Sequence, residues 1–423
     1  MRMFRVVIMA LLLSFIWIAG GAEYSEAAQD RSLPKAAFVR EGSLWVKTGA
    51  EEKLLDKGPA VQNPSWSFDG KWIAYTKGAD EPELWVRELG SAVSTLVHSA
   101  GGARFQWSPH DEKLAYLIDG QLNYINAKQP NVVLGTAAGI GNFSWLPSGK
   151  GFFASSQSEL LPDGWTPITL YEIPLEALGK PADYVTVHVL PKPSDDFFAV
   201  GTSMFKWSAD RRWIAFLAKP TASLSADSNT LCAVSADGVV FRTLDEMVNH
   251  EQWFEWSPRG DQLAYIAGVG REATSNKQLK VVAVSSERTA AYTPRRFVDG
   301  DFAWQNSAHI VVSRAKERKD GELAPANPVY PHLVNIELAS GKQKQLTKPS
   351  KKHGEYNPST LNDSLAWVNA DQTTANVVLA DEHGRHAAIW IRKIDIAPSY
   401  YGQWSWSSVV SFYVHPQTQA VGR

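Results

Sequence analysis

Nucleophilic catalysis by serine calls for a Ser, a His and an acid acting together, with the Ser often raised on a Gly-x-Ser-x-Gly elbow. The chain's one approach to that elbow, Gly201-Thr202-Ser203-Met204-Phe205, lacks the last glycine. A metal centre needs clustered His, Cys, Asp or Glu at ligand spacing. The ten His are scattered, and the nearest to a ligand pair, His383-Gly384-Arg385-His386, reads as a solvated hairpin turn. No Asp-x-Asp-x-Asp-Gly calcium loop occurs. Lys351-Lys352-His353 reads as a solvated loop, and the lone Cys232, inside Leu231-Cys232-Ala233-Val234, as a small core residue of a strand. These residues imply no cofactor, no metal and no recognisable catalytic motif, so the expectation is a chain that is not an enzyme.

The chemistry that remains is that of binding. Aromatic and charged side chains collect in a few long connections: Asp163 and Trp165 within 156–169, Asp195, Asp196 and Phe197 within 191–203, and Arg271 within 268–277. Arg295, Arg296 and Asp299 fall within 285–300, and Tyr330 within 315–331. Long loops on a rigid scaffold are where binding commonly resides, although surface loops also tolerate length at small cost. These ten residues are the candidate ligand-binding set. Tyr400-Tyr401-Gly402-Gln403-Trp404 could stack on a sugar, with a core role in a closing strand as the competing reading.

The elements that hold those loops come from one repeated unit. Trp66-Ser67-Phe68-Asp69-Gly70-Lys71-Trp72-Ile73-Ala74-Tyr75 returns at Trp107 with Leu114-Ala115-Tyr116, at Trp207 with Ile214-Ala215-Phe216, and at Trp256 with Leu263-Ala264-Tyr265. Weaker copies start at Trp145 and Trp304; a copy without its Trp keeps Asn357-Pro358-Ser359 and Leu365-Ala366-Trp367, and a shortened one stands at Trp406. The spacing is about 49 residues, the period of propeller blades. The aromatics of Phe-x-Trp, as in Phe105/Trp107 or Phe254/Trp256, share one face of a strand, because residues i and i+2 do. Ser-Pro-x-Gly is a tight turn, Ile-Ala-Tyr the return strand, and segments such as Leu84-Trp85-Val86 and Thr95-Leu96-Val97 supply a third and fourth strand. The expected fold is all-β, a propeller of four-stranded blades, eight favoured and seven the alternative. Ala36 to Leu55 reads as a blade lacking its first strand, which a C-terminal strand would supply, closing the ring and removing both edges. Trp404-Ser405-Trp406 is the candidate for that strand, with Val409 to Val414 left over. In such blades the loop between second and third strands shares a face with the link between blades, which puts the enlarged loops on one side.

The unit Trp-Ser-x-Asp-Gly-Lys-x-Ile-Ala-Tyr followed by Leu-Trp-Val resembles the repeat of TolB-like β-propellers, and that of the propellers in prolyl oligopeptidases and dipeptidyl peptidases. The resemblance covers about Lys35 to Val414 and implies fold rather than function. A TolB protein of the Tol–Pal system carries an α/β domain ahead of its propeller, whereas here the first blade starts soon after residue 28; a hydrolase domain of the oligopeptidase kind is not expected in the nine residues after Val414.

Arg2 and Arg5, an apolar run from Val6 to Ala19 and small residues at Gly20-Gly21-Ala22 and Ala27-Ala28 make a secretory signal over residues 1–28, with cleavage after Ala22 or Ala27. Retention as an anchor is the other reading, but 14 residues fall short of a bilayer core of roughly 30 Å. No Cys stands there to carry a lipid. The propeller is assigned to 35–414 and a tail to 415–423. With 44% hydrophobic residues and net charge −2, the chain is neither disordered nor suited to nucleic acid. The sequence therefore implies a secreted, cell-envelope, non-membrane-spanning binding or scaffold module, recognising an envelope or extracellular protein, a peptide or a glycan. The alternative is a polysaccharide- or peptide-degrading lyase or hydrolase with its site in the central funnel, and a third reading is a recognition subunit of a separate enzyme.

Overall fold

The computed structural model describes residues 33–79, 82–102, 104–318 and 329–414. The signal segment, residues 1–28, lies outside the described residues. Eight four-stranded antiparallel blades follow one another around a ring, each running from an inner first strand to an outer fourth. In the blade after the closing one, Val61–Trp66, Trp72–Lys77, Glu83–Glu88 and Ser94–His98 pair in that order. The copy around Pro358 is complete, with Gly354–Leu361, Ser364–Ala370, Ala375–Asp381 and Ala388–Ile394, so the count is eight and not seven. The ring closes through Val410–Tyr413, which lies antiparallel to Lys35–Arg40 with Phe38 opposite Val410.

Each motif position has a physical task. The Ser after the Trp caps its own turn. Ser67 Oγ donates to Asp69 Oδ1 at 2.8 Å and accepts the Trp72 N–H at 3.0 Å, and Ser208 does the same with Asp210 and Trp213. The Ala of the return strand (Ala74, Ala115, Ala215, Ala264) is fully buried where sheets come close. The Trp indoles join blades to one another. The N–H of Trp66, Trp107, Trp145, Trp256 and Trp304 donates to a backbone carbonyl of the preceding blade's inner strand, at Ser411, Ser65, Gln106, Lys206 and Glu255, over 2.7–3.1 Å. Both rings of a Phe-x-Trp pair meet one neighbouring ring, as Phe205 and Trp207 do at Phe153, 4.8 and 5.8 Å between centroids. The core thus lies between blades, and each sheet is covered by its two neighbours.

Trp404 and Trp406 depart from the expected strand. Trp404 belongs to a small hairpin, Ser399–Tyr400 with Gln403–Trp404, and Trp406 to a 3-10 turn, Trp406–Ser408. The i, i+2 aromatic spacing here serves a stack instead: the two indoles lie 5.4 Å apart and nearly parallel, beside Tyr356. Trp406 is buried and fills the seam between the last blade and the closing one. The closing strand follows it, one turn later in the chain.

Because successive strands alternate direction, the second-to-third-strand loops and the blade links emerge on one face. The enlarged loops there include a hairpin of Leu160–Leu161 with Gly164–Trp165, a short helix at Ala222–Ser225, and the 268–277 segment wrapped around the fully buried Lys277, whose ammonium donates to the carbonyls of Val269, Gly270 and Ser275. The last link, 395–409, is the longest among the described residues and carries the 399–404 hairpin.

Candidate functional site

The site grows out of how the inner strands begin. At that end several strands carry a β-bulge, between Gln62 and Ser65, Ile140 and Asn142, Asp299 and Phe302, and Tyr356 and Ser359. A bulge inserts one unpaired residue and re-aims its side chain. One place before the first aromatic of the repeat, or before its Pro substitute, Asn63, Asp301 and Asn357 lie within such a bulge and Asn142 directly follows one, with Trp253 at the same repeat position one blade before Asp301. Asn63 and Asn357 adopt left-handed backbone (φ +54° and +47°), which Asn tolerates better than most side chains.

Three successive blades are tied together at this position. Trp253 Nε1 donates to Asp301 Oδ1 at 2.9 Å, and the Asn357 backbone N–H donates to Asp301 Oδ2 at 2.9 Å. Both carboxylate oxygens are thereby oriented by neutral donors. Above Asp301 opens a cavity of about 200 Å³, walled by Trp253, Tyr330, Tyr356, Asp371 and Trp404, with Arg318 at its rim. Burial pushes the Tyr356 phenol up, so it stays a neutral donor. The backbone N–H groups of Thr373 and Thr374 donate to Asp371 Oδ1 at 2.7 Å each and hold that carboxyl below the usual range. Behind Trp253, His250 stacks on the indole at 4.6 Å; burial lowers its pKa, so it is neutral at pH 7. The cavity combines fixed carboxylates, aromatic faces and one cation.

The hairpin of the last link forms one wall. Its two-residue tip, Tyr401 and Gly402, has positive φ at both positions (+50° and +82°), the type I′ geometry of tight hairpins. Gly suits such a turn, but a bulky residue there is strained. Tyr401 is held by neighbours two blades away: its carbonyl accepts the Ala273 N–H at 3.0 Å, and the Arg271 guanidinium lies over its ring at 5.5 Å. Gln403 Nε2 donates to the Arg271 carbonyl at 2.7 Å, and Gln252 Nε2 to Ser407 Oγ at 2.9 Å. The link therefore reaches from the last blade across to the loops of the two blades that carry Asp227 and Arg271. On the hairpin's other side lies a second cavity of about 320 Å³, bordered by Ser225, Ala226, Asn249, Tyr400 and Gln403.

Of the ten candidates from the sequence, Tyr330 lines the cavity over Asp301, and Arg271 stands against the hairpin, paired with Asp227. The rest lie elsewhere. Asp163 is 77% exposed at 3.6 Å from Lys192, Trp165 is half-buried in its hairpin, and Asp195, Asp196, Arg295 and Arg296 are exposed. Phe197 is buried with its ring edge-on to Phe241. Asp299 is fully buried and takes two hydrogen bonds from Arg314, at 2.5 and 2.6 Å, which makes it part of a blade's interior. The sequence reading marks Trp404 only as part of the 400–404 stretch that could stack on a sugar, and it misses Asp301, Trp253, Tyr356 and Asp371, because loop length draws attention away from the strand starts. The usable signal was the residue before each Phe-x-Trp, where one repeat carries Asp and the next copy along carries Asn.

Among the described residues no group of three or more His, Cys, Asp or Glu is placed to hold a metal ion, and no helix is long and apolar enough to cross a membrane. No protein-family model matches the chain, and no curated protein does. Solved structures do match. A puromycin hydrolase superposes with TM-score 0.51 at 15% identity over 81% of this chain and 55% of that one, so the chain spans about half its length. An oligogalacturonate lyase from Vibrio parahaemolyticus matches with TM-score 0.47 at 12% identity, covering 83% and 97%, and a TolB-type structure from Agrobacterium tumefaciens with TM-score 0.36 at 13%, covering 67% and 93%. At these identities the likeness is one of fold: an eight-bladed propeller of TolB-like repeats. One expectation is corrected here. The want of a familiar motif points to a non-enzyme, yet a propeller of this fold occurs in the structure of a puromycin hydrolase, an enzyme, so the missing motif cannot support a non-catalytic assignment.

Proposed function

We propose that this chain is an exported polysaccharide-degrading enzyme whose site is the cavity over Asp301. The observation that carries the reading is Asp301 itself: a carboxylate placed by a bulge at the mouth of the ring, both oxygens held by neutral donors, among Trp253, Tyr330, Tyr356 and Trp404. Aromatic walls with a few placed polar groups suit the apolar face and hydroxyl rim of a sugar ring. Export rests on the composition of residues 1–28.

Asp301 takes the role of proton acceptor, its carboxylate fixed in place by the Trp253 indole and the Asn357 backbone N–H. The Tyr356 and Tyr330 hydroxyls line the same cavity, where a phenol can return a proton to a leaving oxygen. Asp371, kept ionised by its turn, and Arg318 orient the substrate by charge. Whether the bond breaks by water or by elimination depends on the sugar, and the products tell them apart. Hydrolysis yields a new reducing end alone, and elimination yields an unsaturated sugar as well.

The test is a panel of neutral and acidic polysaccharides, with a peptide set beside it, assayed for reducing ends, ultraviolet-absorbing products and free amines. The expected result is turnover of a glycan that falls by about 100-fold or more in Asp301→Asn. Turnover of peptides alone, or full activity in Asp301→Asn, overturns the proposal.

A further inference from the structure

The two cavities share a wall, and that wall is one strand thick. In Gln403–Trp404 neighbouring side chains point to opposite faces, as strand geometry requires. Gln403 and Tyr400 border the 320 Å³ cavity, while Trp404 and Gly402 border the one over Asp301. The two linings differ in chemistry. The cavity over Asp301 holds carboxylates and a cation, whereas its neighbour has hydroxyl and amide groups at Ser225, Asn249, Tyr400 and Gln403 and no charge. Tyr400 is 51% exposed and meets the Tyr401 ring edge to face at 4.7 Å, so an aromatic ridge stands between the openings. The ridge is fixed in place by the Arg271, Ala273 and Gln403 contacts that cross from other blades. A rigid ridge with exposed rings is not needed to close the ring of blades, because Trp406 and Val410–Tyr413 already do so.

Building on the glycan-degrading reading of the Asp301 cavity, we infer that the cavity of Ser225, Asn249, Tyr400 and Gln403 is a second sugar subsite, occupied by uncharged sugar units of the same chain as it passes over the hairpin. The paired strands of the hairpin lie about 5 Å apart, so a chain leaving one cavity meets the other at once. The enzyme then favours oligosaccharides long enough to fill both and cuts within a chain rather than trimming its end.

The experiment uses the full mature chain and two size series, from disaccharide to hexasaccharide, of the uncharged cello-oligosaccharides and xylo-oligosaccharides. Rates are measured with the active protein and equilibrium binding with Asp301→Asn. In each, the wild-type hairpin is compared with Tyr400→Ala and Asn249→Ala, both at surface positions, with circular dichroism to verify folding. The expected result is that kcat/KM rises on the order of tenfold or more from the shortest to the longest substrate. In the two variants that ratio collapses to within about twofold. Binding affinity follows the same pattern. Equal losses at every length, or no length dependence in the wild type, overturn the second subsite. Length-dependent binding that is lost in the variants, without turnover of any oligosaccharide, upholds the subsite and removes the enzyme reading instead. Neither binding nor turnover sinks both.

Discussion

Glu355 offers a prediction whose size follows from the structure. It sits at the start of an inner strand, buried to 8% exposure, beside Tyr356 of the cavity wall. Its backbone N–H donates to the Pro331 carbonyl at 3.0 Å, and its carbonyl accepts Ser313 Oγ at 2.5 Å, both partners being residues that line the cavity. Burial pushes the Glu355 carboxyl from 4.5 up to about 7, against the pull of the Asn369 amide, which donates to Oε1 at 3.0 Å. A raised carboxyl pKa means that the folded state prefers the proton. The associated stability is present in full below pH 4.5 and is lost as pH rises through 7. At about 1.4 kcal/mol per pKa unit, the loss is about 3 kcal/mol. Glu355→Gln keeps an acceptor for Asn369 and has no charge to bury. Urea unfolding of both proteins, followed by the fluorescence of the chain's tryptophans from pH 4.5 to 8.5, isolates the effect, because every other titrating group cancels in the difference. The variant should gain on the wild type by about 3 kcal/mol across that range, nearly all of it below pH 7.5. A gap that stays constant with pH, or that widens toward acid, would refute the reasoning.

Three further outcomes follow from contacts described above. Trp256→Phe deletes an inter-blade hydrogen bond to Lys206, while Trp207 Nε1 has no acceptor among the described residues, so in urea titrations the first substitution should cost about 1 kcal/mol more than Trp207→Phe. Asp299→Ala leaves the Arg314 guanidinium buried without its partner and should lower unfolding free energy by about 3–5 kcal/mol; a mild effect would mean that Asp299 is not structural. Arg271→Ala removes the cation over Tyr401 and the partner of Asp227 at the surface, so global stability should hardly change, while chymotryptic cleavage at Tyr400 or Tyr401 should speed up several-fold.

Much of the fold was legible in the residues because the repeat is dense with constraints. Ser67 with Asp69, Ala74, and Trp66 each answer a need that recurs in several blades, so their spacing betrays strand, turn and seam together. The closing strand was harder. Val410–Tyr413 has the alternation of a strand but none of the repeat's marks, while Trp404 and Trp406 carry the i, i+2 aromatic spacing without pairing to any blade. Only the pairing of Phe38 with Val410 separates the two. The site was less legible still, for a different reason. Asp301, Asp371 and Trp404 come from three separate stretches and are joined only when the ring closes, and a bulge that re-aims Asp301 leaves no signature in composition. Tyr330 lay on a long loop and ended at the cavity, while Asp299, two residues from Asp301, faces a blade interior: in a strand, neighbours of similar chemistry can have opposite fates.

The central claim is that the cavity over Asp301 is where a glycan is cut. The most direct measurement is a crystal structure of Asp301→Asn with a bound oligosaccharide from the best-cleaved polymer. The account predicts a sugar ring against Trp253 or Trp404, with the atom that gives up its proton within about 3 Å of the residue 301 side chain. A ligand seated on the opposite face of the ring, or on the outer strands of the blades, would contradict it.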